Sequence, residues 1–417
     1  MKIVFIHPDL GIGGAERLVV DMGLSLQRKG HTVHYLTAHH DPSHCFSEIK
    51  NGTLKVTEVG GSLPANIFGV FMALCAYLRM IFIAFSLLLR PKFSSLVDCD
   101  LIICDQVSAQ IPFLKMLYLF RSERPKIIFY CHFPDQLLTT RTNFLKKVYR
   151  APIDWFEEKT TGMADCILVN SHFTASVFRD TFKSLDSVEL QVLYPVCNFS
   201  AFDRPVKGLG PSESFPRLSK QVSTIFLSLN RYEAKKRVEL AILAFAALKK
   251  KLSTQEKFTG TIHLIVAGGY DPNQIQNVEY HQELQSCAKE LELEDEVTFL
   301  KSPSDDDKHL LLHSCTAVLY TPENEHFGIV PLEAMYMGRP VIACNSGGPL
   351  ETVRDGETGY LCRPEASHFA EKMYNFVTDK SLSREMGREG REHVKKNFSI
   401  QRFDEQIASV INKLVCQ

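Results

Sequence analysis

Neither sign of charge is in excess in this 417-residue chain: 47 Lys and Arg stand against 48 Asp and Glu, for a formal net charge of −1. A nucleic-acid surface draws on an excess of cations, so this balance disfavours such a partner. The 12 cysteines include no CxxC pair and no metal-finger spacing, which argues against a structural zinc site. Cys45, Cys75, Cys99, Cys104, Cys131 and Cys166 lie mostly in apolar contexts and read as reduced, buried thiols of a cytosol-facing protein. No Ser-His-Asp order and no nucleophile elbow stands out, which removes the simplest hydrolase readings. No metal ligand is assigned, because no His, Cys and Asp cluster has ligand spacing. Asp98 and Asp100 form a DxD pattern, but it runs straight into the apolar LIIC, and capping of a strand entry accounts for it. Asp305, Asp306 and Asp307 read as a loop and helix N-cap. No secretory leader is expected, since His7, Pro8 and Asp9 interrupt the first apolar stretch.

What the chain does have is alternation of apolar strands with amphipathic helices. KIVFIH, TVHYLTA, LIICDQ, KIIFYCHF and CILVNS read as strands of a first half. A helix is expected from about Ala15 to Lys29, with Leu18, Val19, Met22 and Leu26 on one face and Gly30 as C-cap. The pattern restarts near Thr224: TIFLSLNR, a helix from Arg237 to Leu252, then IHLIVAGG, VTFL, AVLYTP and PVIACN. Strand–helix alternation predicts an α/β fold with parallel, doubly wound sheets. Residues 1–200 form one expected domain and 224–395 a second. The Pro-, Gly- and Ser-rich stretch 201–223 is the expected linker. A final helix in 396–417, with Phe403 to Leu414 as its apolar part, is expected to cross back to the first domain. Two such domains predict a ligand cleft between them.

One apolar run, IFGVFMALCAYLRMIFIAFSLLL at residues 67–89, reaches the roughly 20 residues needed to span a bilayer. Arg79 at its centre carries an insertion cost of about 2.5–3.5 kcal/mol. A single span would also separate the first strand from the rest of its sheet. The expectation is therefore an interfacial or re-entrant helix docking the first domain on a membrane, with a buried core helix as the alternative.

The most informative stretch is YTPENEHFGIVPLEAMYMGRPVIA. A buried strand runs into a turn holding Asn324 and Glu325. Gly328 lets the chain pass close to a ligand, and Pro331 suits a first helical turn. Such a helix start, with the amides of Gly328, Ile329 and Val330, offers a positive end to a phosphate. Glu333 lies further along that helix. Arg231 and Lys236 follow the first strand of the second half, where two fixed cations neutralise a leaving diphosphate without a metal. For Lys235 and Arg237 a solvated basic turn suffices. Gly268 and Gly269 end another strand, and Ser346, Gly347 and Gly348 a further one; both loops permit close approach of a nucleotide or serve as tight turns. Gly11, Gly13 and Gly14 open the first helix, but Glu16 stands where a dinucleotide fingerprint wants its third glycine. His132 ends the strand in FYCHFPD.

These segments resemble the retaining, metal-independent nucleotide-sugar glycosyltransferases of family 4. The resemblance rests on EHFGIVPLEAMYMGRPVIACNSGGPLE, FIHPDLGIGGAERLV and YCHFPDQLL, and covers nearly the whole chain. It is nearest to the eukaryotic members that build the dolichol-linked precursor of N-glycosylation. It implies a GT-B architecture, two Rossmann-like domains facing across a cleft. The implied substrates are GDP-mannose and a dolichol-diphosphate-linked oligosaccharide, with no cofactor or metal. The implied reaction adds an α-1,3- and then an α-1,6-linked mannose to Man-GlcNAc2-diphosphodolichol on the cytosolic face of the endoplasmic reticulum membrane. Other early dolichol-pathway mannosyltransferases are expected partners of the same kind. The resemblance selects Arg231 and Lys236 as a pair, puts Gly13 and Gly14 beside the donor diphosphate, and sets His132 against the transferred sugar. Glu325 then stabilises positive charge on the sugar carbon and Glu333 binds ribose hydroxyls. Arg237 departs from the family, which usually has Gly or Asn there. The rival readings are a lipid-acceptor glycosyltransferase with another sugar nucleotide, a dinucleotide-dependent oxidoreductase and a non-catalytic membrane scaffold.

Overall fold

The computed structural model describes residues 1–67, 70–90, 93–139, 141, 143–197, 199–205, 222–255 and 259–415. Most of the expected linker, 206–221, and residues 68–69 of the long apolar run lie outside them. The chain divides into two compact units, Met1–Val196 with Ile400–Gln417, and Cys197–Ser399.

The first unit holds a seven-stranded sheet: β1 (Lys2–Asp9), β2 (Thr32–His39), β3 (Lys55–Glu58), β4 (Leu101–Asp105), β5 (Lys126–Cys131), β6 (Cys166–Val169) and β7 (Leu190–Val192). All pairs are parallel, in the order β3-β2-β1-β4-β5-β6-β7. Runs such as IVFI and LIIC have no polar alternation because helices cover both faces of the sheet. The Gly14–Arg28 helix buries Leu18, Val19, Met22 and Leu26, the face expected from their spacing. The Ile400–Val415 helix packs beside it. Phe403, Ile407 and Ile411 join the same core as Ile3 and Phe5, and Arg28 pairs with Asp404 at 2.6 Å.

The apolar run forms a helix over Met72–Leu89. Met80, Ile83, Ala84 and Leu87 sink into the core with Val4, Ile6 and Leu36. Arg79 donates from Nη2 to the Ala38 carbonyl at 2.7 Å, so the central charge that made a span costly is held on a backbone acceptor. Among the described residues, no helix is long and apolar enough to cross a membrane. One face of this helix is core; its exposed apolar residues include Phe71 before its first turn, Met72, Leu78 and Leu89.

The second unit holds six parallel strands: β8 (Thr224–Leu229), β9 (Ile262–Gly268), β10 (Val297–Lys301), β11 (Ala317–Tyr320), β12 (Val341–Cys344) and β13 (Gly359–Cys362), in the order β10-β9-β8-β11-β12-β13. The helix expected from Arg237 begins later, at Glu239. Arg237 takes a left-handed conformation, φ 48°, which no α-helix accommodates. A short 3-10 turn, Ala234–Lys236, precedes it. In each sheet the strand order reverses once, between β1 and β4 and between β8 and β11. Open parallel sheets bind ligands beyond the carboxyl ends of strands at such a reversal.

Candidate active site

In the second unit, the loops after β8 and β11 meet at that reversal. The Lys236 ammonium pairs with Glu325 Oε2, and the Tyr320 hydroxyl donates to the same oxygen at 3.3 Å. Thr321 Oγ1 donates to the Lys236 carbonyl at 2.8 Å, locking one loop to the other. Burial pushes the Glu325 carboxyl up, but the Lys236 charge outweighs it and leaves the group below its ordinary value. A carboxylate held ionised here suits stabilisation of positive charge.

Glycines permit this geometry. A Cβ at Gly347 would stand 2.5 Å from the Glu325 carbonyl oxygen and one at Gly348 2.1 Å from that of Phe327. The Gly348 amide donates to the Glu325 carbonyl at 2.7 Å. The Asn324 amide donates to Ser346 Oγ at 3.1 Å, and Asn324 itself has φ 53°. The loop after β12 therefore clamps the backbone that carries Glu325.

Two further strand ends converge in the same way. A Cβ at Gly268 would lie 1.7 Å from the Asn230 carbonyl oxygen, and one at Gly269 3.3 Å from Arg231 Cγ. Gly268 and Gly269 thus bring the end of β9 against Arg231. The Arg231 guanidinium is 62% exposed and its contact is Glu233, at 3.0 Å. Glu233 also holds Lys235 at 3.0 Å, the solvated role expected for that lysine. Arg237 pairs with Glu323.

The Ile329–Tyr336 helix starts at Gly328, φ 83°, with no side chain capping it. Ile329 at its start is 44% exposed, and a helix start without a side-chain cap leaves its first amides to other acceptors. Glu333 is mostly buried on that helix and pairs through Oε1 with Lys308 Nζ at 2.7 Å. Burial holds its carboxyl above the ordinary value despite Lys308, and its Oε2 has no hydrogen-bond partner. A buried acceptor left open in this way matches a site for a hydroxyl donor.

The first unit contributes a different cluster at its own reversal. Asp105 ends β4 and accepts from two imidazoles: His7 Nδ1 at 2.8 Å and His132 Nε2 at 2.8 Å. An ionised carboxylate only accepts, so each ring presents a protonated nitrogen to it. His7 Nε2 faces Glu16 Oε1 at 3.7 Å. Burial would lower the His7 pKa, but the carboxylates of Asp105 and Glu16 raise it to about 9. Burial raises Asp105 and Glu16, and their histidine neighbours bring both below the ordinary carboxylate range. Glu16 also folds over Gly13, where a Cβ would stand 2.1 Å from its Oε2. Gly14 has open space on its Cβ side. Glutamate in the third position of the glycine loop is therefore the partner of a buried histidine.

Sequence reasoning named Glu325, Lys236, Arg231, Glu333 and His132 but missed Tyr320, Lys308, His7 and Asp105. Asp105 was detectable only as an acid at the end of a buried strand. As for the DxD pattern, Asp98 pairs with Arg121 at 2.6 Å and Asp100 accepts from the Lys2 amide at 2.6 Å. Among the described residues no group of three or more His, Cys, Asp or Glu is placed to hold a metal.

Two family models match the chain: Glycosyltransferase Family 4 over residues 12–198 and Glycosyl transferases group 1 over 212–393. Alpha-1,3/1,6-mannosyltransferase ALG2 of Homo sapiens is 50% identical over 99% of this chain and 96% of its own length. That of Saccharomyces cerevisiae is 41% identical over 99% of this chain and 85% of its own. Among solved structures, sucrose-phosphate synthase from Thermosynechococcus elongatus aligns over 100% of this chain and 99% of its own, with TM-score 0.73 and 20% identity. Anabaena HepE in complex with UDP aligns over 99% and 100%, with TM-score 0.73 and 17% identity. These two establish the GT-B fold alone. Full-length identity to curated relatives, on a fold with paired Lys236 and Glu325 at the sheet reversal, decides the narrower question: the chain belongs to the alpha-1,3/1,6-mannosyltransferases among the family 4 glycosyltransferases.

Proposed function

We propose that the chain transfers mannose from GDP-mannose, with retention, to a Man-GlcNAc2-diphosphodolichol acceptor, forming first an α-1,3 and then an α-1,6 linkage. The observation that carries this reading is the Lys236–Glu325 pair at the β8/β11 reversal, in a chain 50% identical end to end to a named mannosyltransferase. In the reaction the bond from the mannose C1 to the diphosphate oxygen breaks and GDP leaves. The acceptor hydroxyl oxygen bonds to C1 on the same face, and its proton passes to the leaving phosphate oxygen. Negative charge grows on the diphosphate, where Lys236, Arg231 and the amides from Gly328 to Val330 stabilise it. Positive charge grows on the sugar carbon, where Glu325 stabilises it. Glu333, with its open oxygen, takes the ribose hydroxyls, and Gly268 and Gly269 leave room for the nucleotide. The family resemblance implies roles for Gly13 and Gly14 toward the diphosphate and for His132 toward the transferred sugar. The setting is the endoplasmic reticulum membrane with both units on the cytosolic side. Lipid contact runs through the exposed residues of 67–89, with other early mannosyltransferases of the pathway as partners.

The deciding experiment incubates purified chain with GDP-mannose and a synthetic mannosyl-chitobiosyl diphospholipid. Mass analysis is expected to find two added hexoses. No added hexose with GDP-mannose, or transfer only from a UDP-sugar, rejects the assignment and leaves the lipid-acceptor enzyme with another donor. Two cations on the diphosphate make a divalent ion dispensable, so turnover in EDTA is expected to match turnover without it; a strict manganese requirement would reopen Asp98 and Asp100. Glu333→Gln is expected to weaken GDP-mannose binding about tenfold, the loss of one hydrogen bond to a charged group, with a smaller effect on kcat. Calorimetric titration that finds unchanged affinity removes Glu333 from the ribose.

A further inference from the structure

The Phe144–Thr161 helix is inverted. Its buried residues are Arg150, Ile153, Asp154, Glu157, Thr160 and Thr161, all but one polar. Arg150 bonds Asp154 Oδ1 at 3.0 Å and Asp135 Oδ2 at 2.8 Å, and Glu157 accepts from the Asp135 amide at 2.7 Å. Several large apolar residues face outward: Phe144 is 76% exposed, Leu145 78%, Val148 54% and Trp155 61%. At helical spacing Phe144, Val148 and Trp155 fall on one stripe. A soluble amphipathic helix would present the opposite face. The polar interior network fixes this orientation, because turning the helix over would strand buried charges without partners.

The apolar surface continues beyond the helix. An open groove of about 590 Å³ separates it from the start of the Met72–Leu89 helix, lined by Val70, Phe71, Met72, Leu145, Tyr149 and Arg150, among others. Phe71 and Tyr149 stack edge to face at 5.1 Å. Arg150 is buried, and its Nη1 has no hydrogen-bond partner. Lys146 and Lys147 stand between Leu145 and Val148, and neither has an ion pair among the described residues.

We propose that this inverted helix face, with Val70, Phe71 and Met72 across the groove, docks the first unit on a bilayer containing anionic phospholipid. The proposal rests on the lipid-linked-acceptor reading above and moves the main docking element from residues 67–89, whose helix is half core, to 144–155. The chemistry favours lipid over a second copy. Apolar and aromatic residues edged by unpaired lysines suit an anionic interface, and tryptophan prefers the headgroup level. Two copies would set lysine against lysine, and lysine is depleted in protein–protein contacts.

Trp155 is the only tryptophan in the chain, so its fluorescence reports the proposal directly. The full chain is titrated with phosphatidylcholine vesicles with and without phosphatidylserine. Emission is expected to shift to shorter wavelength, more strongly with phosphatidylserine, and to be quenched by acyl-brominated lipid. Replacing Phe144, Leu145 and Val148 together by Ser is expected to lower vesicle affinity more than about tenfold. Circular dichroism and transfer to a short, water-soluble acceptor are expected to hold. Cosedimentation without a Trp155 shift places docking elsewhere and overturns the proposal, as does equal binding to neutral vesicles. A lipid-free shift that grows with protein concentration assigns the face to a second copy instead. Loss of transfer to every acceptor alongside a normal Trp155 response would reject the enzymatic reading and leave the docking surface standing.

Discussion

Lys236→Ala is expected to lower mannosyl transfer by on the order of 10²–10³ in kcat, the usual cost of removing one preorganised charge stabiliser from a group-transfer site. Arg231→Ala should fall in the same direction and by less, since its guanidinium is already mostly exposed and shared with Glu233. The lysine is harder to interpret, because it also neutralises Glu325 in the resting protein. Removing it leaves a mostly buried carboxylate with Tyr320 at 3.3 Å as its remaining hydrogen-bond partner, at a stability cost of about 1–3 kcal/mol. The double variant Lys236→Ala, Glu325→Gln separates the two effects. Neutralising both partners should return most of the lost stability and none of the lost turnover. The stability penalty also has a pH signature. Glu325 is held below its ordinary value, so its pairing energy is present above the unfolded carboxyl pKa of 4.5 and fades as pH falls through the folded value. The gap between wild type and Lys236→Ala should narrow in acid. A double variant that regains both stability and turnover would show Lys236 to be a structural counter-ion.

Much of the architecture is legible in the sequence because buried parallel strands carry an unbroken apolar signal. β1, β4, β8, β11 and β12 all coincide with runs identified by hydrophobicity alone. Shorter edge strands escape the same reasoning: β3 reads KVTE and β7 LQV, too brief and too mixed for any period. The loops at the reversal of the second sheet are readable in residue type, since Glu325, Gly328 and Lys236 cluster within recognisable strand–loop units. Their pairing is not, because 89 positions separate Lys236 from Glu325. The same applies to Asp105, which lies 98 positions from His7 and 27 from His132. The inverted helix is invisible for a different reason. No helix is assigned to 144–161 from the sequence, and even a helical period there cannot say which face turns inward: the ordinary rule would bury Phe144 and Val148. Only the tertiary partners of Arg150, Asp154 and Glu157 reverse it.

Asp105→Asn is expected to have the largest effect on stability of any single change in the first unit. Asp105 is fully buried between two imidazoles, and removing one partner of a buried charged pair costs about 3–5 kcal/mol. The charge at stake belongs to His7, whose pKa rises from 6.5 to about 9 in the fold. A raised histidine contributes stability that is complete below 6.5 and disappears as pH climbs through about 9. The difference in unfolding free energy between wild type and Asp105→Asn should therefore be greatest near pH 6 and shrink markedly by pH 10. Denaturant melts at the two pH values read this directly, and a difference independent of pH would mean that His7 is neutral in the folded protein. Pairing the variant with His7→Gln removes the orphaned charge and should restore much of the stability at pH 6. Turnover should not follow it back. His132 loses the carboxylate that fixes its Nε2–H and ring position, and in the proposed site, where it stands against the transferred sugar, such misplacement costs on the order of 10² in rate. GDP affinity, which the proposed site assigns to the loops of the second unit, should stay near wild type. If the stabilised double variant recovers full kcat, Asp105 serves folding only and His132 does not depend on it for the reaction.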